Sequence, residues 1–408
     1  MIESFLTRRA KNKESFDQIT SISFEVSQYK NKNPNSNIIN GTIGMFYDED
    51  EAPFVFQPIK DIYNSFLLHD ISTYGFLYPT QDFSNAVFNL LGLTEEYKKN
   101  SYCFPCAGGL NAIHHFAHNF IDEETSVFAL NPFWGPYENI LEEIGYKIQP
   151  INIIPKSDFY IDEDLFFEAI KKTDKEKVII LINIPCQNPT GYTPNLDEIK
   201  YIKNSILKLI SLGKKILIFF DLVYIHYSKL NINDLFEIFS DLPFFYNFSS
   251  SKTLSLYGFR TGAICLYSKD STDKEIFIEK MAFSARASTG SINNIGYKII
   301  EKFANQNLVS ELKDCWYYII NTLSIRSKKL LNIFQMYGFD NYRYDEGFFI
   351  SFFHNEFEIK KLYELLKENG IFFVPQPDSI RVAISSIPLN KIDEFESRIK
   401  NLFNKKNN

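Results

Sequence analysis

The sequence contains few cysteines, and their arrangement excludes a disulfide-stapled protein. Five cysteines occur among 408 residues, at scattered positions: Cys103, Cys106, Cys186, Cys265 and Cys315. An odd number without regular spacing predicts reduced thiols in a cytoplasmic protein. The first two form a CxxC pair, but no second pair lies near them, so we expect no metal site and no redox motif there.

Long apolar segments and blocks of like charge are also missing. The longest apolar runs, residues 178–182 and 216–220, are far too short to span a bilayer. The first residues lack the apolar segment of a secretory signal peptide. The net charge is −7 and no long run carries one sign, which argues against a nucleic-acid or acidic membrane surface.

Regular patterns fill most of the chain. We expect helices over residues 1 to about 30, 81–91, 197–212, 294 to about 336 and 362–369, and a last helix from about residue 390. Almost wholly apolar runs at 178–184 and 215–220 predict buried parallel strands. From about residue 300 the pattern changes to short strands and helices, with an antiparallel strand expected at 342–353. A length of 408 residues suggests two domains.

Polar residues follow three successive strands of the predicted sheet. Asn188 follows the first strand, Asp221 and Tyr224 end the second, and Lys252 follows a third strand expected at 242–248. Parallel sheets bind ligands at the edge where the strands end. Convergence of these groups at one edge is hard to explain by packing alone.

Lys252 lies among small hydroxyl residues at a strand end. Burial of a lysine costs several kcal/mol unless its charge is lost or paired. A desolvated lysine with a lowered pKa is a nucleophilic amine that can form a Schiff base with an aldehyde. The alternative is an ordinary surface-loop lysine flanked by polar residues.

Two turns nearer the N-terminus offer further binding groups. Ala107, Gly108 and Gly109 lie between a predicted strand and helix, where backbone N–H groups form an anion site that suits a phosphate. Trp134 lies at another such turn and offers a flat platform for a ring, with core packing as the alternative. Three histidines in the helix after Gly109 are expected on its faces rather than as metal ligands: His114, His115 and His118.

Together these residues resemble a fold-type I, class I/II aminotransferase dependent on pyridoxal 5′-phosphate, over residues 38 to about 385. The resemblance implies an α/β fold with a mostly parallel central sheet and helices on both faces. It implies a large domain at 48–299, and a smaller α+β domain built from 1–47 and 300–408. It further implies a homodimer with active sites at the interface, and amino-acid and 2-oxo-acid substrates.

The resemblance assigns cofactor roles residue by residue. Lys252 resembles the Schiff-base lysine that carries the proton between the substrate Cα and C4′ of the cofactor. Asp221 resembles the carboxylate paired with the pyridine nitrogen. The other implied contacts are the phenolic-oxygen donors Tyr224 and Asn188, the stacking Trp134, the phosphate cradle of Ala107, Gly108, Gly109, Ser249 and Arg260, and Tyr74, which reaches the neighbouring subunit's phosphate, with Tyr78 as its rival.

The implied substrate contacts resemble those of the aspartate aminotransferase branch. Arg381 resembles the arginine that binds the α-carboxylate, and Gly44, Asn188 and Trp134 would contact the substrate. Arg286 lies where that branch binds a side-chain carboxylate across the dimer interface; the alternative is a surface arginine. If it does so, a substrate without that carboxylate leaves a buried charge unpaired, at a cost of roughly 3–5 kcal/mol.

The resemblance implies a ping-pong transamination, with aspartate or another dicarboxylic acid as the expected amino donor and 2-oxoglutarate as acceptor. The alternatives are an aromatic amino acid aminotransferase, a β-lyase or a decarboxylase on the same scaffold, since scaffold does not determine chemistry. A non-catalytic, regulatory cofactor-binding protein would lack one of the key residues Lys252, Asp221 and Arg381, and all three are present. The histidine found near the ring in the aspartate branch has no clear equivalent.

Overall fold

A computed structural model describes residues 2–7, 10, 18–34, 36–155 and 161–404. Its strands, in chain order, are β1 (Ile39–Asn40), β2 (Ser101–Cys106), β3 (Thr125–Leu130), β4 (Ile148–Ile151), β5 (Lys177–Asn183), β6 (Lys215–Asp221), β7 (Phe244–Ser249), β8 (Gly262–Tyr267), β9 (Asp340–Asn341), β10 (Phe349–Phe353), β11 (Ile371–Phe372), β12 (Val374–Pro375) and β13 (Ile380–Ala383).

Helices connect most of these strands. The α-helices are Gln18–Lys32, Gln57–Asn64, Leu68–Ile71, Gln81–Leu91, Glu95–Lys98, Gly109–Phe120, Pro136–Ile144, Glu163–Lys171, Leu196–Ser211, Ile232–Phe239, Ser250–Thr253, Thr272–Ser288, Asn294–Lys302, Gln306–Glu311, Lys313–Met336, Ile359–Glu368 and Leu389–Asn404. Short 3₁₀ turns occur at Ile2–Phe5, Ile225–Tyr227, Tyr257–Phe259 and Ile384–Ser386.

A seven-stranded sheet with the order β2-β8-β7-β6-β5-β3-β4 forms the centre of the fold. Strands β3 to β7 pair in parallel, and β8 alone runs antiparallel to its neighbours β7 and β2. The ends of β2, β5, β6 and β7 therefore share one edge. This confirms the α/β fold with a mostly parallel central sheet.

The central strands are apolar along most of their length because helices cover both faces. Every residue of β7 is buried, as are the six residues of β5 after Lys177. Two groups of buried apolar side chains pack against the sheet, one containing Ile180 and Phe220 and the other Ile179 and Phe219. Alternate residues of β5 and β6 thus belong to opposite faces, as the pleat requires.

The N-terminal and C-terminal parts of the chain meet next to the central sheet. β1 pairs in parallel with β11, and the Ala383 N–H donates to the Gly41 carbonyl at 2.8 Å. A four-stranded sheet of order β12-β13-β10-β9 continues from there. These pairings hold the segment before Gly44 against the strand that carries Arg381, while the division into two domains remains a prediction.

Several predicted elements match closely, and two require correction. The helix expected at 81–91 is present with those bounds, and the one expected at 197–212 is Leu196–Ser211. The single helix expected from 294 to 336 is instead three helices, because the Asn305 side chain caps a new helix by accepting from the Asn307 N–H at 3.1 Å. Of the helix expected at 1–30, the described part forms an α-helix at Gln18–Lys32, and residues 1, 8–9 and 11–17 lie outside the described residues.

The antiparallel strand expected at 342–353 is shorter than predicted and begins at Phe349. Residues before it turn away to another loop, since the N–H groups of Asp345 and Glu346 both donate to the Gly191 carbonyl. Gly347, at the end of this segment, has a φ of 99°, a backbone conformation that favours glycine. Strand β10 begins only after this residue.

Across the described ranges, no helix combines the length and apolarity needed to cross a membrane. All five cysteines carry free thiols. In the same ranges no group of three or more His, Cys, Asp and Glu side chains is arranged to hold a metal ion. The buried His115 contacts the Ser284 hydroxyl at 2.7 Å through Nδ1, and the His114 ring packs at a tilt against His118 with ring centroids 4.3 Å apart.

Candidate active site

A cavity of about 290 Å³ lies at the shared carboxyl edge of the central strands. It collects most of the residues predicted to bind cofactor or substrate. The lining residues are Gly44, Gly109, Leu110, Trp134, Pro136, Asn183, Asn188, Asp221, Val223, Tyr224, Ser249, Ser251, Lys252, Tyr257, Arg260, Phe349 and Arg381.

Lys252 enters this cavity from the short helix Ser250–Thr253, which directly follows β7. Its amine donates a hydrogen bond to the Gly44 carbonyl. Nζ lies 5.4 Å from the Tyr224 ring centroid and 5.2 Å from that of Tyr257. Loss of solvent lowers the pKa of Lys252 to about 7, and Arg381 and Arg260 repel its charged form. The amine is therefore a competent nucleophile near neutral pH.

Asp221 ends β6 at the bottom of the cavity, where it is buried. One carboxylate oxygen accepts a hydrogen bond from the Tyr137 hydroxyl at 2.6 Å, and the other accepts from Asn247 Nδ2 at 2.8 Å. Burial raises the pKa of Asp221, and these two donors act against that rise. A cation placed beside this carboxylate would favour its ionised form further.

A turn after β2 forms one wall of the cavity. Gly108 has a φ of 88°, and a Cβ there would lie 3.2 Å from Arg260 Nη2. A Cβ on Gly109, the first residue of helix Gly109–Phe120, would lie 3.2 Å from a Val223 methyl. Only glycine leaves this space open, and the first N–H groups of a helix lack intrahelical acceptors. The arrangement suits an anion.

Arg260 and Ser249 complete this wall. Arg260 Nη1 donates to Ser251 Oγ and to the Tyr257 carbonyl, each at 3.2 Å. The Ala107 N–H donates to Asn111 Oδ1 at 3.0 Å. That contact engages the Ala107 donor within its own turn, so Ala107 contributes less to the open wall than Gly109 does.

Arg381 forms the opposite wall from β13. It is buried, with Nη1 donating to Asn188 Oδ1 at 3.2 Å and Nη2 donating to the Thr42 carbonyl at 2.7 Å. Its guanidinium carbon lies 4.6 Å from the centroid of the Phe349 ring. Burial lowers the pKa of Arg381 to about 10. Within the described part of the chain its Nε has no hydrogen-bond partner, so this buried donor is available to bind an acceptor on a ligand.

Gly44 lies between Lys252 and Phe349, where a side chain has no room. A Cβ at this position would lie 2.5 Å from Phe349 Cζ and 3.4 Å from Lys252 Nζ. Trp134 contacts the edge of the Tyr137 ring, with centroids 5.6 Å apart. Both predicted residues thus face the cavity beside the lysine and the carboxylate.

Five predicted residues are not among those that line the cavity: Ala107 and Gly108, in the turn before Gly109, and three residues on the surface of the single chain, Tyr74, Tyr78 and Arg286. Tyr74 is 96% exposed, and Tyr78 is 55% exposed with its ring 6.3 Å from that of Phe104. Arg286 is exposed in the last turn of helix Thr272–Ser288. Their predicted roles involve a neighbouring subunit, so they remain predictions.

The sequence reasoning missed Tyr137, Asn247 and Tyr257. Asn247 interrupts the run of aromatic residues in strand β7, which is a usable signal for a buried polar role. Tyr137 lies in the first turn of helix Pro136–Ile144, and its N–H donates to the Trp134 carbonyl at 3.0 Å. The Tyr257 hydroxyl accepts from the Phe46 N–H at 3.0 Å and thereby ties the segment after Gly44 to the lysine loop.

Known proteins resemble this chain in sequence. The family model for aminotransferases of class I and II matches residues 46–399. The mitochondrial aspartate aminotransferase of Gallus gallus is 26% identical over 171 residues, which are 41% of this chain and 39% of that enzyme. The cytoplasmic enzyme of Schizosaccharomyces pombe is matched over 48% of its length, so the chain spans less than half of both. The aspartate aminotransferase of Bacillus subtilis is 25% identical over 76% of this chain and 78% of that enzyme.

Solved structures share the fold. An aminotransferase from Anaerococcus prevotii superposes with a TM-score of 0.87 at 23% identity, over 98% of this chain and 99% of that one. An aromatic-amino-acid aminotransferase from Burkholderia pseudomallei, covalently bound to pyridoxal phosphate, superposes with a TM-score of 0.80 at 15% identity. The match covers 98% of this chain and 100% of that one. Because the family model covers most of its length, the chain belongs to the class I and II aminotransferase family.

Proposed function

We propose that this protein is a pyridoxal 5′-phosphate-dependent aminotransferase that moves an amino group from an L-amino acid to a 2-oxo acid. The observation that carries the proposal is the content of one cavity. It brings together a low-pKa amine on Lys252, a buried carboxylate on Asp221 and a guanidinium on Arg381 whose Nε has no partner among the described residues. Family membership supports the same reading.

The residues present fit the cofactor. Glycines at positions 108 and 109 keep an anion-sized space open beside Arg260, which suits a phosphate. Asp221 would accept a hydrogen bond from the protonated ring nitrogen, and Trp134 would lie against the ring. Tyr224 and Asn188 would donate to the ring oxygen.

When bound, pyridoxal 5′-phosphate supplies an aldehyde that captures amines and a ring that accepts electrons. Lys252 would hold the cofactor through its amine, and the same amine would be the group that carries a proton to and from the substrate Cα. Tyr137 and Asn247 hold the two oxygens of Asp221 in place, and the carboxylate would keep a proton on the ring nitrogen. Arg381 orients the substrate by its α-carboxylate through charge-assisted bonds.

We propose a dicarboxylic amino acid such as aspartate as the donor and 2-oxoglutarate as the acceptor, with Arg286 of a second copy reading the side-chain carboxylate. Aspartate aminotransferases among the relatives support this choice. An aromatic amino acid is the second candidate, because Trp134, Tyr257 and Phe349 form much of the apolar wall. Solved structures of aromatic amino acid aminotransferases share the fold.

We further propose a homodimer. Five large apolar side chains within residues 67–78 are between 54% and 96% exposed in the single chain, namely Leu67, Leu68, Tyr74, Phe76 and Tyr78. Such a concentration is typical of a surface that another protein covers. Dimerisation would bury this segment and bring its tyrosines toward the neighbouring cavity.

Replacement of Lys252 by alanine tests the proposed chemistry. The Lys252→Ala variant should lose transamination while still binding pyridoxal phosphate loosely, because the phosphate wall and Asp221 are intact. Lys280→Ala, which removes an amine from the exposed side of a helix, is the matched control and should keep full activity. Normal turnover by Lys252→Ala would contradict the proposal.

A further inference from the structure

The short helix that carries Lys252 has its last carbonyl groups satisfied from outside. A helix of four residues leaves most of its carbonyls without an intrahelical partner. The Ser250 carbonyl accepts from the N–H groups of Leu254 and Leu256, at 3.0 and 3.2 Å. The carbonyls of Lys252 and Thr253 accept from aromatic side chains instead.

These two aromatic donors come from different parts of the chain. The Tyr227 hydroxyl donates to the Lys252 carbonyl, and Tyr227 is buried in the turn Ile225–Tyr227 after β6. The indole Nε1 of Trp316 donates to the Thr253 carbonyl at 2.8 Å. Trp316 belongs to helix Lys313–Met336, in the C-terminal part of the chain that also supplies Arg381.

His226 holds the indole in place. Its ring packs on Trp316 with centroids 4.3 Å apart and planes inclined by 37°. The Leu90 carbonyl contacts Nε2, so Nε2 carries the proton and Nδ1 is left to accept from the Thr253 hydroxyl at 3.4 Å. Burial lowers the pKa of His226 to about 4, which keeps the ring neutral and this arrangement constant near neutral pH.

We propose that Trp316, together with Tyr227, is a positioning residue that sets the direction of the Lys252 side chain and so holds its amine inside the cavity. The two hydrogen bonds fix the peptide groups on the carboxyl side of Lys252 and of Thr253. With those peptides fixed, Nζ is kept beside the Tyr224 and Tyr257 rings. The importance of this placement for catalysis rests on the proposed function, whereas the placement itself does not.

The test replaces Trp316 by phenylalanine, which keeps an aromatic ring against His226 and removes the N–H donor. The amine of Lys252 in the cofactor-free enzyme is labelled by reductive methylation with ¹³C-formaldehyde. The readout is the pH dependence of its NMR signal. Lys252→Ala identifies the signal by its loss. The parent should titrate with a midpoint of about 7, and Trp316→Phe should titrate closer to 10.5, because a loosened amine regains solvent.

A second readout separates placement from stability. The rate of the half-reaction with aspartate should fall about 10- to 100-fold in Trp316→Phe, because a small misplacement of a reacting group lowers the rate by such a factor. The affinity for pyridoxal phosphate should change only a few-fold, since the phosphate wall is untouched. Tyr227→Phe should move both readouts in the same direction, and it carries the test if Trp316→Phe does not fold.

Tyr363→Phe is the matched control. It removes a hydroxyl that donates to Glu25 at 2.7 Å, on helix Ile359–Glu368 in the C-terminal part of the chain. It should leave the Lys252 titration unchanged. An unshifted titration in Trp316→Phe and Tyr227→Phe, or an equal shift in Tyr363→Phe, would overturn the proposal. A shifted titration in an enzyme that transaminates no amino acid would uphold the positioning role and refute the proposed function.

Discussion

The hydrogen bond from Tyr137 to Asp221 should control the protonation of the carboxylate that faces the cofactor ring. Asp221 is buried, and the 2.6 Å contact is charge-assisted when the carboxylate is ionised. Removing the donor by Tyr137→Phe costs the ionised form about 1.5–3 kcal/mol. The proton-binding constant of Asp221 should therefore rise about 10- to 150-fold.

The direction of the pH effect follows from which form of Asp221 binds the cofactor. Only the carboxylate pairs with a protonated ring nitrogen, so binding strengthens as pH rises through the pKa of Asp221. Burial has already raised that pKa, and loss of Tyr137 raises it further. As pH falls, pyridoxal phosphate binding by Tyr137→Phe should therefore begin to weaken at a higher pH than binding by the parent.

Two measurements check this prediction. Infrared difference spectroscopy of the cofactor-free enzyme follows the carboxylic acid band of Asp221, assigned by its loss in Asp221→Asn. Absorbance titration gives the cofactor Kd across the same pH range. Tyr246→Phe is the control, because this buried hydroxyl on β7 is not among the groups that donate to Asp221. An unchanged midpoint in Tyr137→Phe, or the same change in Tyr246→Phe, would refute the reasoning.

Three further predictions concern the lysine and the two arginines. Cofactor capture by the free enzyme should accelerate as pH rises through about 7, where Lys252 loses its proton, and stopped-flow absorbance showing a midpoint near 10.5 would contradict this. Arg381→Lys loses part of a planar donor set, about 1.5–3 kcal/mol or roughly 10- to 150-fold in kcat/KM, for every amino acid tested. Arg286→Leu should weaken aspartate far more than phenylalanine in steady-state assays, and equal losses would remove Arg286 from side-chain recognition.

Strand-end chemistry made much of the site predictable from sequence. Asp221, Asn188 and Lys252 follow runs that predict strands, and the common edge of a parallel sheet brings them together. Arg381 was predicted by resemblance, and its strand places it across the cavity from the lysine.

The residues that sequence missed act through tertiary approach. Tyr137 and Asp221 are 84 residues apart in the sequence, and Trp316 and Thr253 are 63 residues apart. No local sequence pattern therefore predicts either contact. The break near Asn305 was missed for another reason. Its flanks are apolar and periodic, and a single capping side chain decides where the helix restarts.

The central claim is tested most directly by the visible absorption spectrum of the purified protein with pyridoxal phosphate. The account predicts a visible band from cofactor held by Lys252, its replacement by the amino form of the cofactor on addition of aspartate, and its return with 2-oxoglutarate. A band that is unchanged by aspartate but changes on addition of an aromatic amino acid would support the aminotransferase activity and contradict the proposed dicarboxylic substrate. No band at all would contradict the account built on Lys252.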